Sequence, residues 1–233
     1  MSKPDPIYVY IEGNGLAAEN HRAAFEELSD FYCVVEERGN ADVIDICTPV
    51  GNHLVLAHTA LEEGRAVFVE KPTCRSFLET IALAGLNKTY SEALGVIEPE
   101  YGLVHPISQY AFTQEDQPQD LNINFKRDED YYEGSKWRGT WAKAGGGVLF
   151  THGWHVLEAL LTGLDSNPVI VDCHIRNMWH DIEVEDFALV SVTTESGAIY
   201  NRQIATSPDD LEGFSSPAVL GDGQELLKTQ LAD

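Results

Sequence analysis

Two side chains in this sequence have the type and setting for acid–base work on a small molecule. Lys71 lies in Glu70-Lys71-Pro72, and His155 ends the run Thr151-His152-Gly153-Trp154-His155. A lysine at the end of a buried strand points into a crevice, where it can hold a hydroxyl and stabilise charge as that hydroxyl becomes a carbonyl. A histidine one turn into a helix can exchange protons near neutral pH. Each has a plainer reading: a solvated Glu-Lys pair, and a packed or solvated helix histidine.

Gly13-Asn14-Gly15-Leu16-Ala17-Ala18 is a G-x-G-x-x-A between an apolar β-prone run, Ile7–Ile11, and a helical pattern, Leu16–Leu28. The first glycine permits the tight turn, and the second lets backbone approach a pyrophosphate. Ala18 keeps helix and strand close, and the helix N-terminus offers N–H donors to phosphates. Thr48-Pro49-Val50-Gly51-Asn52-His53 follows another apolar run, at the sheet edge where such folds bind ligands. Taken alone, that motif is better explained as a simple turn capped by Asn52.

The elements that would position these residues alternate. Strands are expected at 7–11, 31–35, 43–47, 66–69 and 94–97. Helices are expected at 16–28, at 54–63 closed by Gly64, and at 77–84. This alternation is the pattern of a parallel sheet covered by helices. After Pro99 the texture changes. Residues 105–140 are polar, Gly145-Gly146-Gly147 leads into a helix over 151–161, and alternating runs from Val169 read as antiparallel strands. The fold class is therefore α/β. A Rossmann-like domain over 1–99 precedes an α+β domain over 100–233, with the boundary near Glu98–Tyr101.

Asp and Glu number 38 against 15 Lys and Arg, a net charge of −23. Such a surface repels nucleic acid and anionic lipid, and fits either adaptation to high salt or an ordinary acidic protein. No apolar run is long enough to cross a bilayer, and Met1–Pro6 has no signal-peptide pattern, so a cytoplasmic protein is expected. The four cysteines, Cys33, Cys47, Cys74 and Cys173, form no C-x-x-C pair. They read as packed thiols, and no metal site is expected.

Taken together, the motifs resemble the glucose-fructose oxidoreductase / inositol dehydrogenase / rhizopine-catabolism family. The matches are Gly13/Gly15/Ala18, Thr48-Pro49 with His53, Glu70-Lys71-Pro72, Trp137-Arg138, and Gly145-Gly146-Gly147 followed by Gly153 and His155. The resemblance implies hydride transfer between NAD or NADP and a sugar or nucleotide-sugar hydroxyl. In it Lys71 polarises the hydroxyl and His155 is the acid/base, with Thr151 beside the substrate. Gly13, Asn14, Gly15, Leu16, Thr48, Pro49, His53, Glu70, Trp137 and Arg138 would line the cofactor. It also implies a homodimer or larger assembly. Two departures stand out: Thr151 occupies a position where the family has Asp or Asn, and one strand–helix unit between the first helix and the Val43 strand is missing, so that Phe31–Val35 reads either as the second strand or as the later one. A non-catalytic member with a reduced cofactor site is the alternative reading.

Overall fold

The computed structural model describes residues 5–90, 93–97, 119–135 and 137–215. These fall into two compact units, the first ending at Ile97 and the second covering 119–215. The boundary expected near Glu98–Tyr101 lies outside the described residues.

In the first unit, strands β1 (Ile7–Glu12), β2 (Tyr32–Val34), β3 (Val43–Ile46), β4 (Ala66–Glu70) and β5 (Leu94–Ile97) form one sheet in the order β2-β1-β3-β4-β5. Every pairing in it is parallel. Helices α1 (Leu16–Glu27), α2 (His53–Glu62) and α3 (Phe77–Thr89) connect the strands. All four residues of β3 are buried, as a central parallel strand requires. Its side chains alternate between faces. Val43 and Cys47 join Val9, Ile11 and the α1 stripe of Ala18, Ala24 and Phe25. Ile44 and Ile46 join Val67, Val69 and the α2 stripe of Ala57, Ala60 and Leu61.

A full dinucleotide fold orders its strands 3-2-1-4-5-6. The order here is that sequence with its outermost strand left out. β2 pairs only with β1, so Tyr32–Val34 is the second strand of the fold and not a later one. The segment 35–42 then returns to β3 with a single 3₁₀ turn, Arg38–Asn40, where a helix and strand would otherwise stand.

The second unit has the sheet order β6-β9-β8-β7, from strands β6 (Asp120–Asn124), β7 (Pro168–Arg176), β8 (Phe187–Thr194) and β9 (Ile199–Ala205). β7–β8 and β8–β9 are antiparallel, and β6 joins β9 in parallel. β6 lies within the stretch that sequence marks only as polar. The short helices α4 (Glu129–Glu133), α5 (Trp141–Ala144) and α6 (Val148–Thr151) lead to α7 (Gly153–Thr162). The single helix expected over 151–161 is thus two, divided at His152. Val156 and Leu160 of α7 pack on Ala188, Ile204, Val190 and Val192 of the sheet.

Asp186, fully buried at the start of β8, organises the turn from β7. Its carboxylate accepts the backbone N–H of Met178 (2.6 Å), Trp179 (2.7 Å) and His180 (2.8 Å), and also faces His180 Nδ1 (3.2 Å). Asp186→Ala would strand these donors, the buried His180 N–H among them, and should cost about 3 kcal/mol or more. Urea unfolding of the variant against wild type measures it.

Candidate functional site

Because β1, β3 and β4 are parallel, their three motifs emerge at the same sheet edge. Glu12 pairs with Ile46 and Ile46 with Val69, so Gly13, Cys47 and Glu70 follow side by side. The approach of Gly13 to Cys47 leaves no room for a side chain. Gly13 has φ +144, and a Cβ there would stand 2.6 Å from the Cys47 carbonyl oxygen. Gly15 is the reverse case, with no atom within 4 Å of its Cβ position. Gly15 is the N-cap of α1, and Asn14, Gly15 and Leu16 are all exposed. Open backbone N–H groups at a helix start, with free space before them, fit the pyrophosphate of a dinucleotide.

His53 turns inward instead. It is 2% exposed, and Nε2 donates to the Thr48 carbonyl at 2.7 Å. Burial lowers its pKa, against the opposing pull of Thr48, of Glu70 and of the Pro72 and Thr73 backbone. The ring therefore closes back on the Thr48-Pro49 turn through Nε2, and its Nδ1 is buried without a hydrogen-bond partner among the described residues. Thr48, Pro49, Glu70 and Lys71 are half-buried on these two turns, and the Lys71–Pro72 peptide is cis.

Beneath the glycine turn lies a cluster that spacing alone did not show. His21 of α1 faces Asp45 of β3 through Nδ1 (2.8 Å) and Glu70 through Nε2 (3.4 Å). Cys47 Sγ lies 3.2 Å from the same Nδ1. Burial works against the His21 imidazolium, but hydrogen bonds to Asp45, Cys47 and Glu70 outweigh it and its pKa is pushed up to about 12. Strand parity could have exposed the cluster. Val43, Asp45 and Cys47 share the face that α1 covers, and His21 belongs to the buried stripe of that helix.

In the second unit, Trp137 and Arg138 follow a turn whose Ser135 Oγ accepts both backbone N–H groups (3.4 and 3.1 Å). The Arg138 guanidinium stacks on Tyr131 (4.3 Å) and Trp137 (5.0 Å), and Arg127 stacks on the same Tyr131 ring (4.9 Å). Neither arginine meets a carboxylate among the described residues.

The glycine run meets Glu185, which sequence reasoning did not single out. Its Oε1 accepts N–H from Gly147 (2.9 Å) and Leu149 (3.2 Å), and its carbonyl accepts that of Val148 (2.8 Å). A Cβ on Gly147 would fall 1.8 Å from that carbonyl oxygen. Burial pushes the Glu185 carboxyl up, against the bonds it receives from this loop. Thr151, where the family has an acid, donates Oγ1–H to the Gly147 carbonyl (2.8 Å). With that proton committed, its oxygen accepts from His152 Nδ1 (2.9 Å), which leaves His152 Nε2 towards the Tyr131 hydroxyl (3.5 Å). His155, third in α7, is 6% exposed.

The family profiles match both units. Residues 11–97 match the oxidoreductase family with an NAD-binding Rossmann fold, and residues 117–207 match the GFO/IDH/MocA C-terminal domain. The chain belongs to the GFO/IDH/MocA oxidoreductase family. Its first unit is thus an NAD-binding Rossmann domain shortened by one strand–helix unit.

Among solved structures the chain is similar to the WlbA dehydrogenase of Chromobacterium violaceum, in complex with NADH and UDP-GlcNAcA. Identity is 22% and the TM-score 0.75, over 88% of this chain and 69% of that one. An oxidoreductase of Thermotoga maritima shares 21% identity at a TM-score of 0.71, over 89% and 74% of the two chains. A UDP-N-acetylglucosamine 3-dehydrogenase of Acidithiobacillus ferrooxidans shares 16% at 0.63, over 89% and 72%. No curated protein matches the chain by sequence. No helix among the described residues is long and apolar enough to cross a membrane.

The position of His53 makes a pH prediction. Its folded pKa lies below the ordinary value of 6.5, so the unfolded chain takes up the proton first as pH falls. The stability due to the neutral ring is present above that value and lost below it. His53→Gln should therefore cost most near about pH 7.5 and clearly less near about pH 5.5. Urea unfolding of both proteins at the two pH values checks it, and an equal cost at both would contradict it.

Proposed function

We propose that the chain is an NAD-dependent dehydrogenase that moves hydride between nicotinamide and a hydroxyl-bearing carbon of a sugar or nucleotide sugar. The observation that carries this reading is the convergence of Gly13-Asn14-Gly15, Thr48-Pro49 and Lys71 at one edge of the parallel sheet. Gly13, Asn14, Gly15 and Leu16 hold the pyrophosphate on the start of α1. Thr48, Pro49 and Glu70 lie along the dinucleotide, and Trp137 and Arg138 are carried over as cofactor residues from the family resemblance alone. When bound, the cofactor supplies the hydride acceptor or donor. Lys71 orients and polarises the reacting hydroxyl, His155 takes or returns its proton, and Thr151 contributes a hydrogen bond where relatives place a charge.

The sugar-nucleotide class is supported by Arg127 and Arg138, two cations against one ring with no carboxylate partner among the described residues. It is supported too by the UDP-GlcNAcA bound to the Chromobacterium protein and by the UDP-N-acetylglucosamine on which the Acidithiobacillus dehydrogenase acts.

Preference for NAD over NADP follows from charge. Glu36 and Glu37 follow β2, Arg38 is held between Glu12 and Glu63 (3.2 Å to the latter), and Arg22 faces Glu36 (3.8 Å), so among the described residues each guanidinium near the end of β2 already faces a carboxylate rather than a 2′-phosphate. Calorimetric titration should show NAD binding more tightly than NADP. Lys71→Ala should keep NAD binding and lose about 100-fold in turnover. Tight NADP binding or a fully active Lys71→Ala would overturn these assignments. Binding of neither cofactor would favour a non-catalytic family member, a reading that draws on the missing strand–helix unit.

We also propose a homodimer or larger assembly through the second-unit sheet. All nine residues of the outer strand β7 are exposed, including Val169, Ile170 and Val171 at 57%, 59% and 63%. An open apolar strand at a sheet edge invites pairing. Light scattering at micromolar concentration and moderate salt should give at least twice the chain mass of 25.8 kDa. A monomer mass contradicts the proposal.

A further inference from the structure

We propose that His21, Asp45 and Cys47 form a structural site for one borderline divalent cation, zinc in chemical class, beneath the glycine turn of the first unit. The three donor atoms, Nδ1, Oδ2 and Sγ, are separated by 2.8 Å (N···O), 3.2 Å (N···S) and 3.6 Å (O···S). Metal–ligand distances of about 2.0–2.3 Å in tetrahedral geometry place such donors roughly 3.3–3.6 Å apart. The triangle is already close to one face of that tetrahedron. An ion drawn into it needs about half an ångström of opening at the Nδ1···Oδ2 edge and a few tenths at the Nδ1···Sγ edge.

Three further features point the same way. The residues are almost wholly enclosed, at 2%, 0% and 7% exposure. The second carboxylate oxygen of Asp45 is buried with no hydrogen-bond partner, an expensive state that a cation bound at Oδ2 would relieve, with Oδ1 as a longer contact in a distorted fourth position. On its far side His21 turns Nε2 to Glu70 Oε1 at 3.4 Å, the arrangement in which a carboxylate orients a ligating imidazole. Imidazole, carboxylate and thiolate together suit zinc better than calcium or magnesium, which take oxygen sets.

Coordination at Nδ1, Oδ2 and Sγ requires a bare imidazole nitrogen, a carboxylate and a thiolate, so protons held on Nδ1 and Sγ would leave to solvent as the ion enters, and the two negative ligands would balance its double charge. His21 keeps its Nε2 proton for Glu70. Cys47 also carries the carbonyl against which Gly13 packs, so the ion would fix the floor of the glycine turn without touching substrate.

Cobalt(II) distinguishes this site from cations gathered loosely by the acidic surface. Chelator-treated full-length protein titrated with cobalt should bind about one ion tightly, with a thiolate-to-cobalt charge-transfer band and the intense visible absorption of a four-coordinate ion. Zinc should displace it and raise the Tm. Cys47→Ala should abolish the band. A variant in which Cys47 is the only cysteine, made by Cys33→Ala, Cys74→Ala and Cys173→Ala, should keep it. This second variant decides the matter if Cys47→Ala does not fold. Cobalt bound without a charge-transfer band, or a band that is lost when Cys47 stands alone, overturns the proposal.

Discussion

The close approach of the Gly13 turn to the Cys47 carbonyl constrains everything at the carboxyl edge of the first sheet. With 2.6 Å between that oxygen and any Cβ, only glycine lets the β1 turn lie this low over β3. The low turn aims the start of α1 across the sheet edge, and α1 in turn brings His21 down onto Asp45 and Glu70. The phosphate-facing backbone and the polar cluster below it are therefore consequences of one contact. A change at residue 13 would be felt in both, because the helix that offers N–H groups above carries the histidine that fills the space beneath.

The second unit solves a similar problem by the same means. Gly147 lies directly on the Glu185 backbone, and the Glu185 carboxylate gathers the N–H groups at the start of α6. A buried acid is costly alone, but here its bonds replace the hydration it has lost. The gain is position. Thr151, His152 and His155 all follow from a loop pinned at both its side chain and its backbone partner. The hydroxyl of Thr151 then fixes the tautomer of His152, work that a carboxylate at the same place would do with charge.

What could be read from sequence followed from local periodicity. The apolar runs at 7–11, 43–47 and 66–69 announce buried parallel strands, and Gly13, Gly64 and Lys71-Pro72 punctuate them. β6 was hidden because Asp120-Leu121-Asn122-Ile123-Asn124 has only two apolar residues, which face the core between polar neighbours. The inward turn of His53 was hidden for another reason: its partner is a backbone carbonyl five residues earlier, which no side-chain pattern records. The His21–Asp45–Cys47 cluster joins a helix face to a strand face, so neither segment alone contains it. Glu185 is equally non-local, 38 residues from the glycine whose N–H it accepts. Elements are written in short-range order, whereas the polar contacts that set a site are written in the pairing of faces.

The shortened sheet edge shows how such a fold closes without one of its usual layers. Leaving out a strand and its helix exposes β2, and this chain keeps that edge to three residues, too short to recruit another strand easily. The loop that follows is anchored rather than free. Arg38 reaches Glu12 at the end of β1 and Glu63 beyond α2, while Arg65 donates to the carbonyls of Gly39 and Ala41. These bonds stitch the 35–42 segment to both neighbouring loops. They also spend the positive charge that would otherwise face an incoming phosphate. On the proposed reading, a dinucleotide in a chain of net charge −23 would be held by backbone N–H groups and the partial positive charge of α1, terms that act only at close range. The general field of the protein would oppose that binding, and salt would weaken the opposition more than the short contacts. Recognition in the first unit would thus rest on the short-range contacts of the glycine turn and helix start, not on the net charge of the chain.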